Sequence, residues 1–235
     1  MSELKKKNTL MLVINLFLAV STVVLTIIGM TRGAGEGQLG ENMDGIGYFK
    51  AFTTDSNVLC GISAIIAAVY NIKILSGKAN YTPKWVTVIY LISTCAVSLT
   101  LVTVIFFLGP MVAFYGHSYF MLFAGNLFFF HFLNPVLAII VYAFIWHEHK
   151  ISKKTVWLGV LPTFIYSVVY TLNVAFLKNW TDFYNFTFGG HYYLIPVAMM
   201  STAAVTLGAG FLLNYLHNRR IKPKENTTSS AENEE

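Results

Sequence analysis

Trp85-Val-Thr-Val-Ile-Tyr90-Leu-Ile-Ser-Thr-Cys95-Ala-Val-Ser-Leu-Thr100-Leu-Val-Thr-Val-Ile-Phe-Phe107 contains no charged residue. A helix needs roughly 20 apolar residues to cross a ~30 Å hydrocarbon layer, and this stretch is long enough. Five further segments match it: Thr9 to Met30, Ala51 to Leu75, Tyr119 to Trp146, Val156 to Phe176 and Leu194 to Tyr215. Membrane strands would show alternating segments of about ten residues, and none of these runs alternates. The sequence therefore predicts an all-α polytopic membrane protein, a bundle of six transmembrane helices forming one domain over residues 1–222. The polar, acidic stretch at 223–235 has nothing to bury and is expected to be a disordered tail.

Composition agrees. Only 11% of the 235 residues are charged and 55% are hydrophobic, whereas a soluble domain carries about 25% charge. The charges sit in short clusters between the apolar runs. If the N-terminus is cytoplasmic, thirteen of the 16 basic residues fall on the inner side (Lys5, Lys6, Lys7; Lys73, Lys78, Lys84; Lys150, Lys153, Lys154; Arg219, Arg220, Lys222, Lys224), leaving Arg32, Lys50 and Lys178 outside. This bias predicts cytoplasmic N- and C-termini. It also accounts for the net charge of +5 without nucleic acid, as topology signals that also suit anionic lipid headgroups. The expected location is a multi-pass position in the membrane, the cytoplasmic membrane for a bacterial cell, with lipids as partners and no nucleic acid. The first apolar run exceeds the 7–15 residues of a cleavable signal and no A-x-A-like site follows, so it reads as an uncleaved helix.

Several activities are excluded by what is missing. No G-x-S-x-G elbow, H-E-x-x-H or P-loop occurs, and the Gly33-Ala-Gly35-Glu-Gly37 stretch has no strand before it. Cys60 and Cys95 both lie in apolar runs without neighbours at zinc-ligand spacing. A metal held by His131 and Asp55 would lack a third ligand, and no cofactor or metal is expected.

Inside a membrane each polar residue is costly unless it has a partner or a task. The second segment opens with Phe52-Thr53-Thr54-Asp55-Ser56-Asn57, and Asp55 is the one carboxylate within any span. These residues suit the capping of a helix N-terminus, although capping does not call for Asn57. The fourth segment holds Asn126-Leu-Phe-Phe-Phe-His131-Phe-Leu-Asn134-Pro135, with the one histidine inside a span. In an α-helix Pro135 removes the hydrogen bond to the carbonyl four residues earlier, so a kink and a freed carbonyl are expected at His131. Tyr166, Tyr170 and Asn173 share one face of the fifth segment toward the same side. The loop after it, Trp180-Thr-Asp182-Phe-Tyr184, reads equally well as part of this polar region or as an aromatic interfacial belt.

Phe52-Thr53-Thr54-Asp55-Ser56-Asn57 together with His131-Phe-Leu-Asn-Pro135 resembles the androgen-induced membrane protein family and its bacterial relatives. Those relatives show Phe-Thr-x-x-Ser-Asn and His-x-x-x-Pro in the same two helices. Animal members are intramembrane threonine hydrolases that cleave fatty acid esters of hydroxy fatty acids with one threonine and one histidine. The resemblance implies a lipid ester hydrolase in which His131 is the histidine and Thr53 or Thr54 the threonine. The Ser-Asn pair selects Thr53, whereas counting three residues to the next polar side chain selects Thr54. Asp55 and Asn134 depart from the animal pattern. On this reading His131 deprotonates the threonine, and Asn134, Asn126 or a tyrosine sets its tautomer. Asn57, Asn173 or a tyrosine hydroxyl would stabilise the oxyanion, and the acyl chain would lie among Phe128, Phe129, Phe130 and Phe132. The other reading is a non-enzymatic membrane protein or small transporter that uses Asp55 and His131 as an ion or proton site. Its two halves lack matching broken helices, since Pro135 and Pro162 have no equivalents in the first and second segments.

Overall fold

A computed structural model describes residues 3–32 and 43–221. The stretch expected to be a disordered tail and the Gly33 to Gly37 run lie outside the described residues. Six helices are long and apolar enough to cross a membrane: α1 (Glu3–Arg32), α2 (Phe52–Leu75), α3 (Lys84–Phe114), α4 (Asn126–Ile145), α5 (Lys153–Phe176) and α6 (Tyr192–Arg220). The described residues contain no strand. The expected all-α class and helix count therefore hold. The end of α3 extends from Phe107 to Phe114, and the start of α4 retreats from Tyr119 to Asn126, because Gly125 takes a left-handed φ of 54° and detaches Tyr119–Phe123 as a separate 3₁₀ turn. A short 3₁₀ helix, Gly45–Lys50, leads into α2.

The most enclosed helix is α3, with α2, α4, α5 and α6 packed around it. Lipid tails are as apolar as leucine, so helices in a bilayer are held by close packing and interhelical hydrogen bonds. This chain uses both. At Gly61 an added Cβ would stand 2.9 Å from Cβ of Thr22, so α1 and α2 approach where no larger residue fits. Deeper in the bundle, Tyr90 on α3 donates to Oδ1 of Asn15 on α1 at 2.9 Å, and Nδ2 of Asn15 donates to Oδ1 of Asn71 on α2 at 3.3 Å. Ser63 and Ser93 share a 2.7 Å bond between α2 and α3, and Ser56 and Thr100 share one of 2.9 Å. Both cysteines are buried and free.

The prolines shape the helices through one repeated device. Ahead of Pro135 the chain forms a π turn, Phe129–Leu133, in which the Asn134 N–H bonds Phe129 O. In this widened register the next donor would be the proline nitrogen, which has no hydrogen. The orphaned carbonyl is therefore that of Phe130, one residue before the His131 carbonyl expected from an α-helical count. Nδ2 of Asn57 donates to it at 3.0 Å. Ahead of Pro110, Val104–Leu108 forms the same turn, with the Gly109 N–H on Val104 O. Here the orphaned Ile105 carbonyl accepts the Tyr119 hydroxyl at 3.0 Å.

Lys7 near the start of α1 and Arg220 at the end of α6 line one pocket with Trp146 and His147, which follow α4. Both ends of the described chain thus lie at one end of the bundle, and the start of α2 lies at the other.

Candidate functional site

The polar run that opens α2 does not cap its own helix. Ala51 is the N-cap residue and no side chain of the run bonds a free N–H there. Instead Ser56 Oγ donates back to Thr53 O at 3.1 Å and Asn57 Nδ2 donates to the same carbonyl at 2.8 Å. The missing cap comes from the loop after α5: the Phe52 N–H donates to the Tyr184 phenol oxygen at 3.1 Å. Asp55 stands in the first turn of α2, as the dipole part of the capping alternative expects, but its carboxylate makes no capping hydrogen bond among the described residues. It lies close enough to Tyr166 and Tyr184 to interact with both electrostatically.

The two threonines differ in surroundings. Thr54 is buried and its hydroxyl hydrogen-bonds Tyr48. Thr53 hydrogen-bonds the Tyr184 hydroxyl and stands on the wall of a cavity of about 390 Å³. Leu99, Phe106, Phe107, Phe186 and Val205 give this cavity an apolar lining, with Tyr166 and Tyr184 beside Thr53. Burial pushes the Tyr184 phenol up to about 12, against the opposing effect of its hydrogen bonds to Thr53 and Phe52. It is a neutral hydrogen-bonding group near neutral pH.

His131 sits in the π turn of α4, buried. Nδ1 lies 2.6 Å from the Leu122 carbonyl. A carbonyl can only accept, so the proton is on Nδ1 and Nε2 is left as an acceptor. The tautomer is thus set by the backbone of the Tyr119–Phe123 turn, and by none of the expected groups: Asn134, Asn126 or a tyrosine. No hydrogen bond joins His131 to Thr53 or Thr54. What connects the two helices is Asn57, whose single amide nitrogen donates both to Thr53 O and to Phe130 O, the carbonyl just before His131. Asn57 Oδ1 accepts from Asn134 Nδ2 at 3.3 Å, and Asn134 Oδ1 accepts from Ser21 of α1 at 3.1 Å. Asn57 and Asn134 are both fully buried, so three side chains, Ser21 of α1, Asn57 of α2 and Asn134 of α4, hold the histidine turn against the threonine turn.

The remaining expected residues separate. Asn126 makes no side-chain hydrogen bond among the described residues. Asn173 falls in a π turn, Leu172–Phe176, and donates back to Val169 O at 2.9 Å within its own helix. Asn57 has both amide hydrogens engaged. Asn57 thus has no donor to spare, and Asn173, which commits one of its two amide hydrogens to its own helix, does not line the cavity, which leaves Tyr184 as the candidate oxyanion donor. The Phe128 to Phe132 run does not line the cavity. Phe130 packs against Leu25 and Tyr48, and Phe128 and Phe132 lie at the surface. The cavity lies instead on the side of α3, α5 and α6.

Asp182 organises the loop that delivers Tyr184. Its Oδ1 accepts from the Tyr170 hydroxyl at 2.9 Å and the Phe186 N–H at 2.8 Å, and Oδ2 accepts from the Thr187 N–H at 2.7 Å and the Thr187 hydroxyl at 2.6 Å. The Tyr170 oxygen in turn accepts from the Tyr184 N–H at 2.8 Å. Asp182→Ala leaves these donors without their carboxylate, and bonds to charged groups are worth about 1.5–3 kcal/mol each. The variant should lose about 2–3 kcal/mol of stability, read as a lowered unfolding temperature in detergent and faster protease cleavage between residues 177 and 191.

Sequence reasoning left Tyr184 open between the polar region and an aromatic belt, and passed over Tyr48, Ser21 and Asn15. The available signal was their position: each is a polar group at or inside a span, where a partner is obligatory. No family model, curated protein or solved structure matches the chain.

Proposed function

We propose that this protein is an intramembrane hydrolase of fatty acyl esters, of the threonine and histidine type that its motifs resemble. Thr53 is the nucleophile, His131 the base, and membrane lipids or lipid esters are the substrates. The observation that carries this reading is the position of Thr53, on an acyl-accommodating apolar cavity and tied through Asn57 to the turn that holds His131 with Nε2 free. Thr54 is set aside because it is enclosed against Tyr48. Both termini are cytoplasmic by the distribution of basic residues, which places the cavity toward the outer leaflet.

In this scheme Thr53 Oγ1 attacks the ester carbonyl and its proton passes to Nε2 of His131, directly or through one water. The Tyr184 hydroxyl donates to the oxyanion. Collapse expels the alcohol, protonated from His131, and leaves an acyl-threonine. Water deprotonated by His131 then releases the fatty acid and restores the threonine. A proton or ion site built from Asp55 and His131 draws less support, since Asp55 faces Tyr166 and Tyr184 whereas His131 faces Leu122.

Purified protein in detergent, incubated with a panel of acylglycerols, phospholipids and fatty acid esters of hydroxy fatty acids, should release fatty acid from at least one class. A lipophilic fluorophosphonate should label Thr53, as read by peptide mass spectrometry. Folded protein that cleaves none of the panel and takes no label overturns the assignment.

A further inference from the structure

At the end of the bundle opposite Thr53 lies a second pocket of about 210 Å³, lined by Lys7, Phe144, Ile145, Trp146, His147 and Arg220. We infer that this pocket binds a phosphate group, supplied by the headgroup of an anionic membrane lipid. Two cations from opposite ends of the sequence converge there, on α1 and α6, and no acidic side chain lines the wall. Lys7 pairs with Glu3 at 2.9 Å, one turn nearer the chain start on the exposed surface. Among the described residues Arg220 meets no carboxylate; its guanidinium lies 5.9 Å from the centre of the Phe144 ring.

The second observation concerns nitrogen atoms without partners. Among the described residues, Trp146 is 1% exposed and its Nε1 has no hydrogen-bond partner, and both ring nitrogens of the half-buried His147 are enclosed and unpartnered. An indole N–H only donates, as do an ammonium and a guanidinium. The polar equipment of the pocket is therefore almost all donor, and its complement is a group that only accepts and carries negative charge. A phosphate meets that description, and Arg is well shaped to grip it in bidentate fashion.

The lipid source follows from position. Phe144 is 43% exposed and faces outward beside Arg220, as Leu10 does one turn beyond Lys7, at 49%. The pocket thus opens beside apolar helix faces that would hold acyl chains. Lys5, Lys6 and Arg219 adjoin the two lining cations in the sequence, and basic pockets between helices at this level suit lipid headgroups. The inference is independent of the hydrolase reading.

The test uses the full chain in an uncharged detergent, with unfolding temperature followed against short-chain phosphatidic acid, phosphatidylglycerol, phosphatidylcholine and inorganic phosphate. Anionic lipid should raise Tm saturably, and phosphatidylcholine should do so only weakly. Lys7→Gln/Arg220→Gln should weaken the response at least tenfold, whereas Lys153→Gln/Lys154→Gln, which removes the same charge at the same end, should leave it unchanged. Trp146→Phe, which removes the indole N–H donor together with part of a buried ring, should weaken the lipid-induced rise above its own unliganded Tm severalfold and serves if the double variant does not fold. Competition by inorganic phosphate would support the pocket with a soluble source, and absence of competition would support the lipid source. An equal lipid response in wild type, Lys7→Gln/Arg220→Gln and Trp146→Phe, or equal weakening in both double variants, overturns the inference.

Discussion

Thr53→Ala should lower ester hydrolysis by at least ~10³-fold, about 4 kcal/mol of transition-state stabilisation, while leaving the unfolding temperature almost unchanged. The separation of the two effects rests on which atoms of Thr53 hold the fold. Its carbonyl accepts from Asn57 and Ser56, and alanine keeps that carbonyl. The hydroxyl contributes a single bond to Tyr184, worth about 0.5–1.5 kcal/mol, and Phe52 N–H continues to cap against the same phenol. Thr53→Ser restores a hydroxyl and should recover activity to within about tenfold of wild type. Thr54→Ala, which removes a hydroxyl hydrogen-bonded to Tyr48 outside the cavity, should reduce the rate by less than about tenfold. Initial rates of fatty acid release across the four proteins decide the matter. Full activity in Thr53→Ala, or a loss matched by equal loss of folded protein, would remove Thr53 from the mechanism.

The largest stability effect is expected at Asn57→Leu. The substitution is close to isosteric, so the penalty lies in the hydrogen bonds. The Phe130 carbonyl has already lost its helical donor to the π turn and Pro135, and without Asn57 it has no partner in a site closed to water. An unsatisfied buried group costs about 1–3 kcal/mol, and the Asn134 amide loses its acceptor as well. Interhelical bonds in membranes average about 0.6 kcal/mol and reach about 1.7, so the summed loss should be about 2–4 kcal/mol. It should appear as a lower midpoint in denaturing-detergent titration. The comparison variant is Asn173→Leu, whose amide bonds only its own helix and which should shift the midpoint by less than about 0.5 kcal/mol. A midpoint for Asn57→Leu equal to that of Asn173→Leu would show that water or a neighbouring group satisfies Phe130 O. Activity should fall with Asn57→Leu too, because the same side chain sets the spacing between the threonine and histidine turns.

The reading of α4 shows where sequence inference runs out. Pro135 announces a freed carbonyl, since a proline nitrogen carries no hydrogen wherever it stands. Which carbonyl is freed depends on whether the preceding turn closes at four or five residues, and that choice is made by packing. The π turn moved the orphan from His131 to Phe130 and brought it to Asn57. Gly125 is similar: a glycine permits a left-handed φ without demanding it, so the detachment of Tyr119–Phe123 from the helix was not legible. That turn is what supplies the Leu122 carbonyl to His131 and thereby the tautomer. The loop with Asp182 and Tyr184 read equally well as part of the polar region or as a membrane-interface belt, because aromatic composition is the same in both cases. Only the folded chain brings the Tyr184 phenol back across more than a hundred residues to Phe52 and Thr53.

What the sequence determined by itself is everything the solvent dictates. Apolar runs of spanning length, with charge confined to the gaps, have one way to satisfy their backbone in hydrocarbon, and that is as helices. The costly polar residues in α2 and α4 were visible for the same reason. What only the tertiary structure decided is which of them meet: Asn57 with Phe130 O and Asn134, Thr53 with Tyr184 beside the cavity, His131 with Leu122. A hydrogen bond is a matter of a few tenths of an ångström between groups far apart in the chain, and periodicity and composition carry no information on that scale.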